Sequence, residues 1–180
     1  MRIVAGSFGG RRLETPKGGG IRPTADRVRE ALFSIIADRI DQSTVLDLFA
    51  GTGALGLEAL SRGASQAIFV DQSQEAVRLV RSNIARCGAA DRAAVIHASV
   101  DAALRQLTKR GLRFQLIFLD PPYAKGSLEG VLLQVAPIAE EGALAIAEHG
   151  AKELLPERLG PWRRIDERRY GDTTISFYER

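Results

Sequence analysis

Residues 47–56 read DLFAGTGALG and decide the fold, because they end one apolar run and open a helical pattern. Gly51, Gly53 and Gly56 fit the spacing G-x-G-x-x-G, which allows a tight turn and a close approach of the backbone to a ligand. Asp71 ends the next apolar run, 20 residues after Gly51, where a carboxylate can accept both hydroxyls of a ribose. The motif therefore predicts a nucleoside-containing ligand at the end of the first sheet strand.

Apolar runs alternate with helical patterns through most of the chain. Runs of this kind are typical of parallel strands that are covered by helices on both faces. Two β-rich stretches near the end, 162–169 and 173–179, leave no room for a crossover helix, so they must pair as an antiparallel hairpin. We therefore expect a Rossmann-like α/β sandwich with a seven-stranded, mostly parallel sheet and one antiparallel strand. The expected parallel strands are 45–50, 67–70, 93–96, 114–119 and 143–147, and the expected helices are 54–62, 73–87, 100–110 and 127–136.

The first 40 residues are expected to extend this sheet domain. Residues 1–20 hold six of the 18 glycines and predict a short β-hairpin about Gly9-Gly10, followed by a loop. Residues 21–40 predict a helix with an apolar stripe, and Arg29 lies off that stripe. Residues 44–180 remain for the Rossmann-like core, and we expect the whole chain to form one domain.

Basic residues concentrate at the start of the chain. Residues 1–29 carry seven basic and two acidic side chains, a net charge of +5, and the other 151 residues carry −2. A basic, glycine-rich start on a nearly neutral body predicts an anionic partner such as nucleic acid, and a solvated basic face is the alternative. The candidate contacts to such a partner are Arg11, Arg12, Lys17 and Arg27.

Composition excludes several classes of protein. The single cysteine, Cys87, excludes an internal disulfide, and with only His97 and His149 besides we expect no metal site. No apolar run approaches the roughly 20 residues that span a bilayer, and the N-terminus does not resemble a signal peptide. We expect a cytoplasmic monomer. Cys87 lies in a helical pattern and is predicted to be a core thiol.

The charge beside the glycine motif indicates which nucleoside ligand binds. Asp47 lies four residues before Gly51, at the end of the strand. A carboxylate there suits a cationic group such as the amino group of a methionine moiety, and it would repel a pyrophosphate. This favours S-adenosylmethionine over a nicotinamide dinucleotide. The alternative is a tight turn in which Asp47 only caps the helix.

A second motif, Asp120-Pro121-Pro122-Tyr123, directly follows the strand predicted at 114–119. The prolines fix φ and remove two N–H donors, so the loop offers two acceptors, the Asp120 carboxylate and the Pro121 carbonyl. Two acceptors match the two hydrogens of an exocyclic amine on a base, and Tyr123 can stack on a flipped base. The alternative is a Pro-Pro turn after a buried strand.

The tetrad resembles the signature of S-adenosylmethionine-dependent methyltransferases that act on exocyclic amines of nucleic-acid bases. The other stretches that carry a likeness to known proteins are 3–6, 10–13, 22–33, 47–64 and 170–173. On these stretches the chain resembles the RsmD family from end to end. That family methylates N2 of one guanine in bacterial 16S rRNA and acts on an assembled small-subunit particle. The resemblance therefore implies a methyltransferase whose partner is the small ribosomal subunit.

The resemblance also implies a role for individual residues. Asp47, Gly51 and Gly53 would hold the methionine part of the cofactor, and Asp71 the ribose. Asp120 and Pro121 would hold the guanine amine. Arg22 and Thr24 would close over the carboxylate end of the cofactor, and Ala98 and Ser99 would contact its adenine, with Asp101 as a further candidate. The full set expected at the cofactor is Arg22, Thr24, Asp47, Phe49, Gly51, Gly53, Asp71, Gln72, Ala98 and Ser99, and the catalytic set is Asp120, Pro121, Pro122 and Tyr123.

Two alternative functions remain. The first is an adenine-N6 methyltransferase acting on RNA or DNA, which would use the same chemistry. The second is a nucleotide-binding module without catalysis or a nicotinamide oxidoreductase. The tetrad argues against the second alternative, because hydride transfer has no use for it.

Overall fold

The computed structural model describes residues 1–16, 23–121 and 128–180, and for 23–25 the backbone alone. Its centre is one eight-stranded sheet in the order β3-β2-β1-β4-β5-β8-β7-β6. The first five strands are parallel, and β8 runs antiparallel to both β5 and β7. The strands are β1 (Thr44–Leu48), β2 (Gln66–Asp71), β3 (Ala93–His97), β4 (Phe114–Leu119), β5 (Ala139–Gly150), β6 (Arg158–Leu159), β7 (Trp162–Tyr170) and β8 (Thr173–Glu179).

Helices cover both faces of the sheet, as the apolar runs predict. α1, α2 and α3 pack on one face around Phe69 and Phe118, and α4 and α5 pack on the other face around Leu46 and Ile117. Cys87 is buried in the first of these cores, which confirms the prediction of a core thiol. The helices are α1 (Pro23–Ile35), α2 (Ala54–Ser61), α3 (Gln74–Cys87), α4 (Val100–Lys109) and α5 (Leu128–Val135).

The Rossmann-like α/β sandwich and its antiparallel strand are confirmed, with two differences. β6 adds an eighth strand of two residues, which is too short to leave a pattern in the sequence. β5 extends well beyond the apolar run at 143–147, because its polar ends also form ladder hydrogen bonds. Its start pairs with Phe114 of β4, and its end follows β8 as far as the pair Gly150–Thr173.

The N-terminal residues form the predicted hairpin, reduced to a single bridge between Arg2 and Arg12. The N–H of Ile3 donates to the carbonyl of Arg11 at 2.9 Å, and the N–H of Gly10 donates to the carbonyl of Ile3 at 2.9 Å. A Cβ on Gly6 would lie 1.9 Å from the carbonyl oxygen of a residue in α2, so only glycine allows this close approach. The hairpin is therefore packed against the helical face of the sheet.

Candidate active site

A cavity of about 490 Å³ opens at the carboxyl ends of β1, β4 and β5. β1 lies at the point where the chain, after running outward to β2 and β3, crosses back to β4. In open α/β sheets, ligands bind at this switch in strand order. The predicted residues that line the cavity are Asp47, Phe49, Gly51 and Asp120.

The glycine loop between β1 and α2 makes a sharp turn along one wall of the cavity. Three of its residues have positive φ: 63° at Phe49, 56° at Gly51 and 78° at Gly53. This conformation is strained for a phenylalanine, and strain of about 1–3 kcal/mol is typical of functional sites. Gly56 is required for packing, because a Cβ there would lie 2.4 Å from a ring carbon of Phe69 on β2. The three glycines thus serve the turn and the close contact of helix with strand.

Asp47 occupies the floor of the cavity and is 2% exposed. Its Oδ2 accepts the N–H of Gly56 at 2.9 Å, so it holds the first turn of α2 as well as lining the cavity. Burial raises the pKa of Asp47 to about 8, and the charges of Asp120 and Asp71 add to this effect, while the hydrogen bond from Gly56 opposes it. A cationic ligand beside this carboxyl would favour its ionised form.

Asp71 fixes the glycine loop from the end of β2. Its Oδ2 accepts the N–H of Gly51 at 2.9 Å, and its Oδ1 accepts the N–H of Ser73 at 2.8 Å. The carbonyl of Asp71 in turn accepts the N–H of Ala98 at 3.1 Å, which ties β2 to the end of β3. The hydroxyl of Ser99 accepts the N–H of Ala102 and caps α4. Asp71, Gln72, Ala98 and Ser99 therefore form a group beside the cavity, and they do not line it.

Asp120 and Glu148 lie at the ends of the adjacent strands β4 and β5, and both line the cavity. Asp120 is open to the cavity but enclosed by the surrounding protein, and this burial raises its pKa to about 6. Burial likewise raises the pKa of Glu148, to about 7, and the charge of Asp120 adds to the shift. Two carboxylates facing one cavity are a strong acceptor site for the N–H groups of a ligand.

Several predicted site residues lie outside the part of the chain that the structure describes. They are Lys17, Arg22, Pro122 and Tyr123. Thr24 lies in α1, where only the backbone is described. Pro121 is half-buried directly after Asp120, as the tetrad requires. The roles given to these residues stay predictions.

Arg29 lines the cavity, although the sequence pattern did not mark it as a site residue. Its position off the apolar stripe of α1 predicts a solvent-facing side chain, but it is 5% exposed. It donates to Asp26 at 3.0 Å and to the carbonyl of Arg2, and its Nε lies 3.6 Å from Glu58, which is fully buried. The N-terminal segment covers it, because Glu58 also accepts the N–H groups of two residues of that segment. Only tertiary packing reveals this burial.

Further cavity residues were also missed by sequence reasoning. Glu148 had one signal, an acid that closes an apolar run, as Asp71 does. Met1 lies at the cavity beside the glycine loop, where its sulfur accepts the hydroxyl of Thr52 at 3.4 Å. Asn83, fully buried in α3, also joins the N-terminal segment to this loop, because it accepts the N–H of Glu14 at 2.6 Å and donates to the carbonyl of Thr52 at 2.9 Å. The missed lining residues also include Val28, Leu32, Ala54, Leu55, Tyr170, Gly171, Asp172, Thr173 and Ile175.

The predicted nucleic-acid contacts that are described, Arg11, Arg12 and Arg27, are all exposed. Arg11 lies over the ring of Phe8 at 5.3 Å and donates to the carbonyl of Arg86 at 3.1 Å. Within the described ranges, no group of His, Cys, Asp and Glu side chains has the arrangement of a metal site. Among the same residues, no helix has both the length and the apolar character needed to cross a membrane.

Comparison with known proteins gives matches over the full chain. The family described as Conserved hypothetical protein 95 matches residues 1–179. The YlbH protein of Bacillus subtilis (strain 168) is 38% identical, and the match covers 100% of this chain and 99% of that protein. Ribosomal RNA small subunit methyltransferase D of Escherichia coli (strain K12) is 35% identical over 100% of this chain and 90% of that protein. The solved structure of the Escherichia coli yhhF protein superposes with a TM-score of 0.86 at 34% identity, over 100% of this chain and 97% of that one.

Proposed function

This chain belongs to the Conserved hypothetical protein 95 family, the RsmD family, and from that premise we propose that it methylates the exocyclic N2 amine of a guanine in 16S rRNA with S-adenosylmethionine as methyl donor. One observation carries the proposal. Asp120, the first residue of the Asp-Pro-Pro-Tyr tetrad, lines the same cavity as Asp47 and the glycine loop. An acceptor for a base amine thus adjoins a pocket suited to the methyl donor.

The residues of the cavity fit the methionine end of S-adenosylmethionine. Asp47 offers a carboxylate to its cationic amino group, and Arg29 brings positive charge to the same cavity. Asp71 and Ser99, in the group beside the cavity, suit the ribose and the adenine. Arg22 and Thr24 are the further residues that we assign to the carboxylate end.

The chemistry needs little more than positioning from the protein. When bound, S-adenosylmethionine supplies a methyl group on a positively charged sulfur. Transfer of this methyl group forms an N–C bond at the amine as the S–C bond breaks. The products are a neutral thioether and a methylated amine, which then releases one proton. Asp120 and the carbonyl of Pro121 accept the two N–H groups of the amine. This draws the nitrogen toward tetrahedral geometry and frees its lone pair for attack. With its pKa at about 6, Asp120 is ionised at neutral pH and stabilises the positive charge that develops on nitrogen.

The substrate assignment rests on the basic N-terminal region and on the relatives. The Escherichia coli relative is named for the small-subunit ribosomal RNA, and it matches the whole of this chain. The exposed Arg11, Arg12 and Arg27 offer positive charge to RNA phosphates, and such contacts make affinity depend on salt. We expect an assembled small-subunit particle to be a better substrate than naked 16S rRNA.

The test is methyl transfer to small-subunit particles from a strain whose gene for this protein is deleted. With tritiated S-adenosylmethionine, the wild-type protein should label the 16S rRNA, and Asp120→Ala should reduce labelling by at least about 100-fold. The Asp120→Ala protein should still show a rise in melting temperature with S-adenosylmethionine, because Asp47 and the glycine loop are unchanged. Asp91→Ala, which removes an exposed carboxyl group far along the chain, is the matched control. Normal labelling by Asp120→Ala would disprove the mechanism.

A further inference from the structure

The Glu148 carboxylate lines the cavity, but it has no role in the proposed methyl transfer. The pairing of β4 with β5 ends at Leu119 and Ala147, so Asp120 and Glu148 are the next residues on two neighbouring strands. Neighbouring strands lie about 4.8 Å apart. Side chains alternate along a strand, and the residues two positions earlier, Phe118 and Ile146, share one core on the α1–α3 face. Asp120 and Glu148 therefore point to the same side of the sheet, next to each other.

The described residues around Glu148 leave its carboxylate without a hydrogen-bond donor. Its partner across the β5–β8 ladder is Ile175, which is buried and apolar. Within the part of the chain that the structure describes, no hydrogen-bond donor reaches the Glu148 carboxylate. A carboxylate held beside a second carboxylate and an apolar neighbour is costly unless a ligand supplies donors.

The positive charge of the same cavity does not meet this need. Arg29 is 5% exposed, and its guanidinium already donates to Asp26 at 3.0 Å and lies 3.6 Å from Glu58. A carboxylate that lacks donors in a polar cavity is expected of a site built for a polar ligand, and an apolar core would not retain it.

We propose that Glu148 determines the specificity for guanine by accepting the N1–H of the target base while Asp120 accepts an N–H of its N2 amine. This inference rests on the proposed function. Guanine presents N1–H and the N2 amine as neighbouring donors, which match two neighbouring carboxylates. Adenine presents an acceptor, N1, beside its amine, so an ionised Glu148 would repel it. Glu148 thus distinguishes the two bases on which the amine chemistry is equally feasible.

The experiment compares wild type, Glu148→Gln and the control Glu141→Gln, which changes an exposed residue of the same strand. Each protein acts on particles reconstituted with 16S rRNA that carries either guanine or 2,6-diaminopurine at the methylated position. The second base keeps the N2 amine but presents an acceptor at N1. On guanine, Glu148→Gln should lose about 5- to 15-fold in kcat/KM, because the glutamine oxygen can still accept N1–H and only the extra strength of a hydrogen bond to a charged group is lost. On 2,6-diaminopurine it should exceed wild type, because the glutamine N–H can donate to N1. Glu141→Gln should match wild type on both bases.

Other outcomes separate the failures. Equal losses by Glu148→Gln on both bases would mean a structural role, and unchanged activity on guanine would mean no role; either result overturns the inference. Loss of the S-adenosylmethionine-induced rise in melting temperature would place Glu148 at the cofactor and also overturn it. If wild type methylates no guanine N2 in the first place, the proposed function itself fails, before any variant is compared.

Discussion

Asp47→Asn is expected to stabilise the fold while it weakens S-adenosylmethionine binding. Asp47 is 2% exposed, and its pKa is raised from 3.8 to about 8, mainly by burial. Asparagine has nearly the same size, and its side-chain oxygen can still accept the N–H of Gly56 that Oδ2 accepts at 2.9 Å. The substitution therefore removes a buried titratable group and keeps the contact that holds α2.

The magnitude follows from the raised pKa. In the folded protein Asp47 keeps a proton that the unfolded chain releases at neutral pH. The stability that this group contributes is fully present below pH 3.8 and is lost as the pH rises through about 8. One pKa unit corresponds to about 1.4 kcal/mol, so wild type should lose about 2 kcal/mol from this group by pH 5 and about 4 kcal/mol by pH 7. Asp47→Asn should show no such loss.

The assay is urea unfolding of the ligand-free protein at pH 5, 6 and 7. The difference in free energy of unfolding between Asp47→Asn and wild type should grow by about 2–3 kcal/mol from pH 5 to pH 7. Asp120 and Asp71, whose charges act on Asp47, are present in both proteins, and Asp91→Asn serves as an exposed control. Parallel pH curves for the variant and wild type would refute the reasoning. The rise in melting temperature with S-adenosylmethionine should disappear in Asp47→Asn and persist in wild type and Asp91→Asn.

Three further predictions follow from single contacts. Gly56→Ala would place a Cβ 2.4 Å from the ring of Phe69, so the free energy of unfolding should fall by about 1–3 kcal/mol, as measured by urea unfolding. Asn83→Ala removes three hydrogen bonds to the N-terminal segment and the glycine loop, so the free energy of unfolding should fall by about 2–4 kcal/mol. Proteolysis of the N-terminal segment should also become faster, and an unchanged rate would contradict the role of Asn83 in holding this segment. Replacing Arg11 and Arg12 with Glu should lower the salt dependence of the affinity for small-subunit particles and leave the melting-temperature shift with S-adenosylmethionine unchanged. If the affinity of the variant depends on salt concentration as that of wild type does, the N-terminal hairpin is not an RNA contact.

The parts of the site that local sequence predicts are those built by contiguous residues. The run at 47–56 predicts the turn, the helix after it and the cavity wall, because the glycine spacing acts within one strand-loop-helix unit. Asp120 could be placed beside Asp47 because each residue lies at the carboxyl end of a strand. The carboxyl ends of parallel strands meet at one edge of the sheet. The structural contact considered for Asp47 is present, since it accepts the N–H of Gly56 in the first turn of α2; Asp47 also lines the cavity, and its role at the cofactor stays a prediction.

The parts that sequence reasoning missed depend on packing between distant residues. Arg29 is off the apolar stripe of its helix and is nevertheless buried, because Glu58 and the N-terminal segment enclose it. Met1 lies at the cavity beside Thr52, which is far away in the sequence. The position of Glu148 next to Asp120 follows from the register of β5 against β4, which local sequence patterns do not predict. Such residues are identified only from the three-dimensional packing.

The most direct test of the central claim is the identity of the methylated nucleoside. Small-subunit particles that wild-type protein has methylated are digested to nucleosides, which are then identified by chromatography and mass spectrometry. We predict N2-methylguanosine as the product, and none from particles treated with Asp120→Ala. Methyl groups found in N6-methyladenosine instead, or no N2-methylguanosine above the level of untreated particles, would contradict the account.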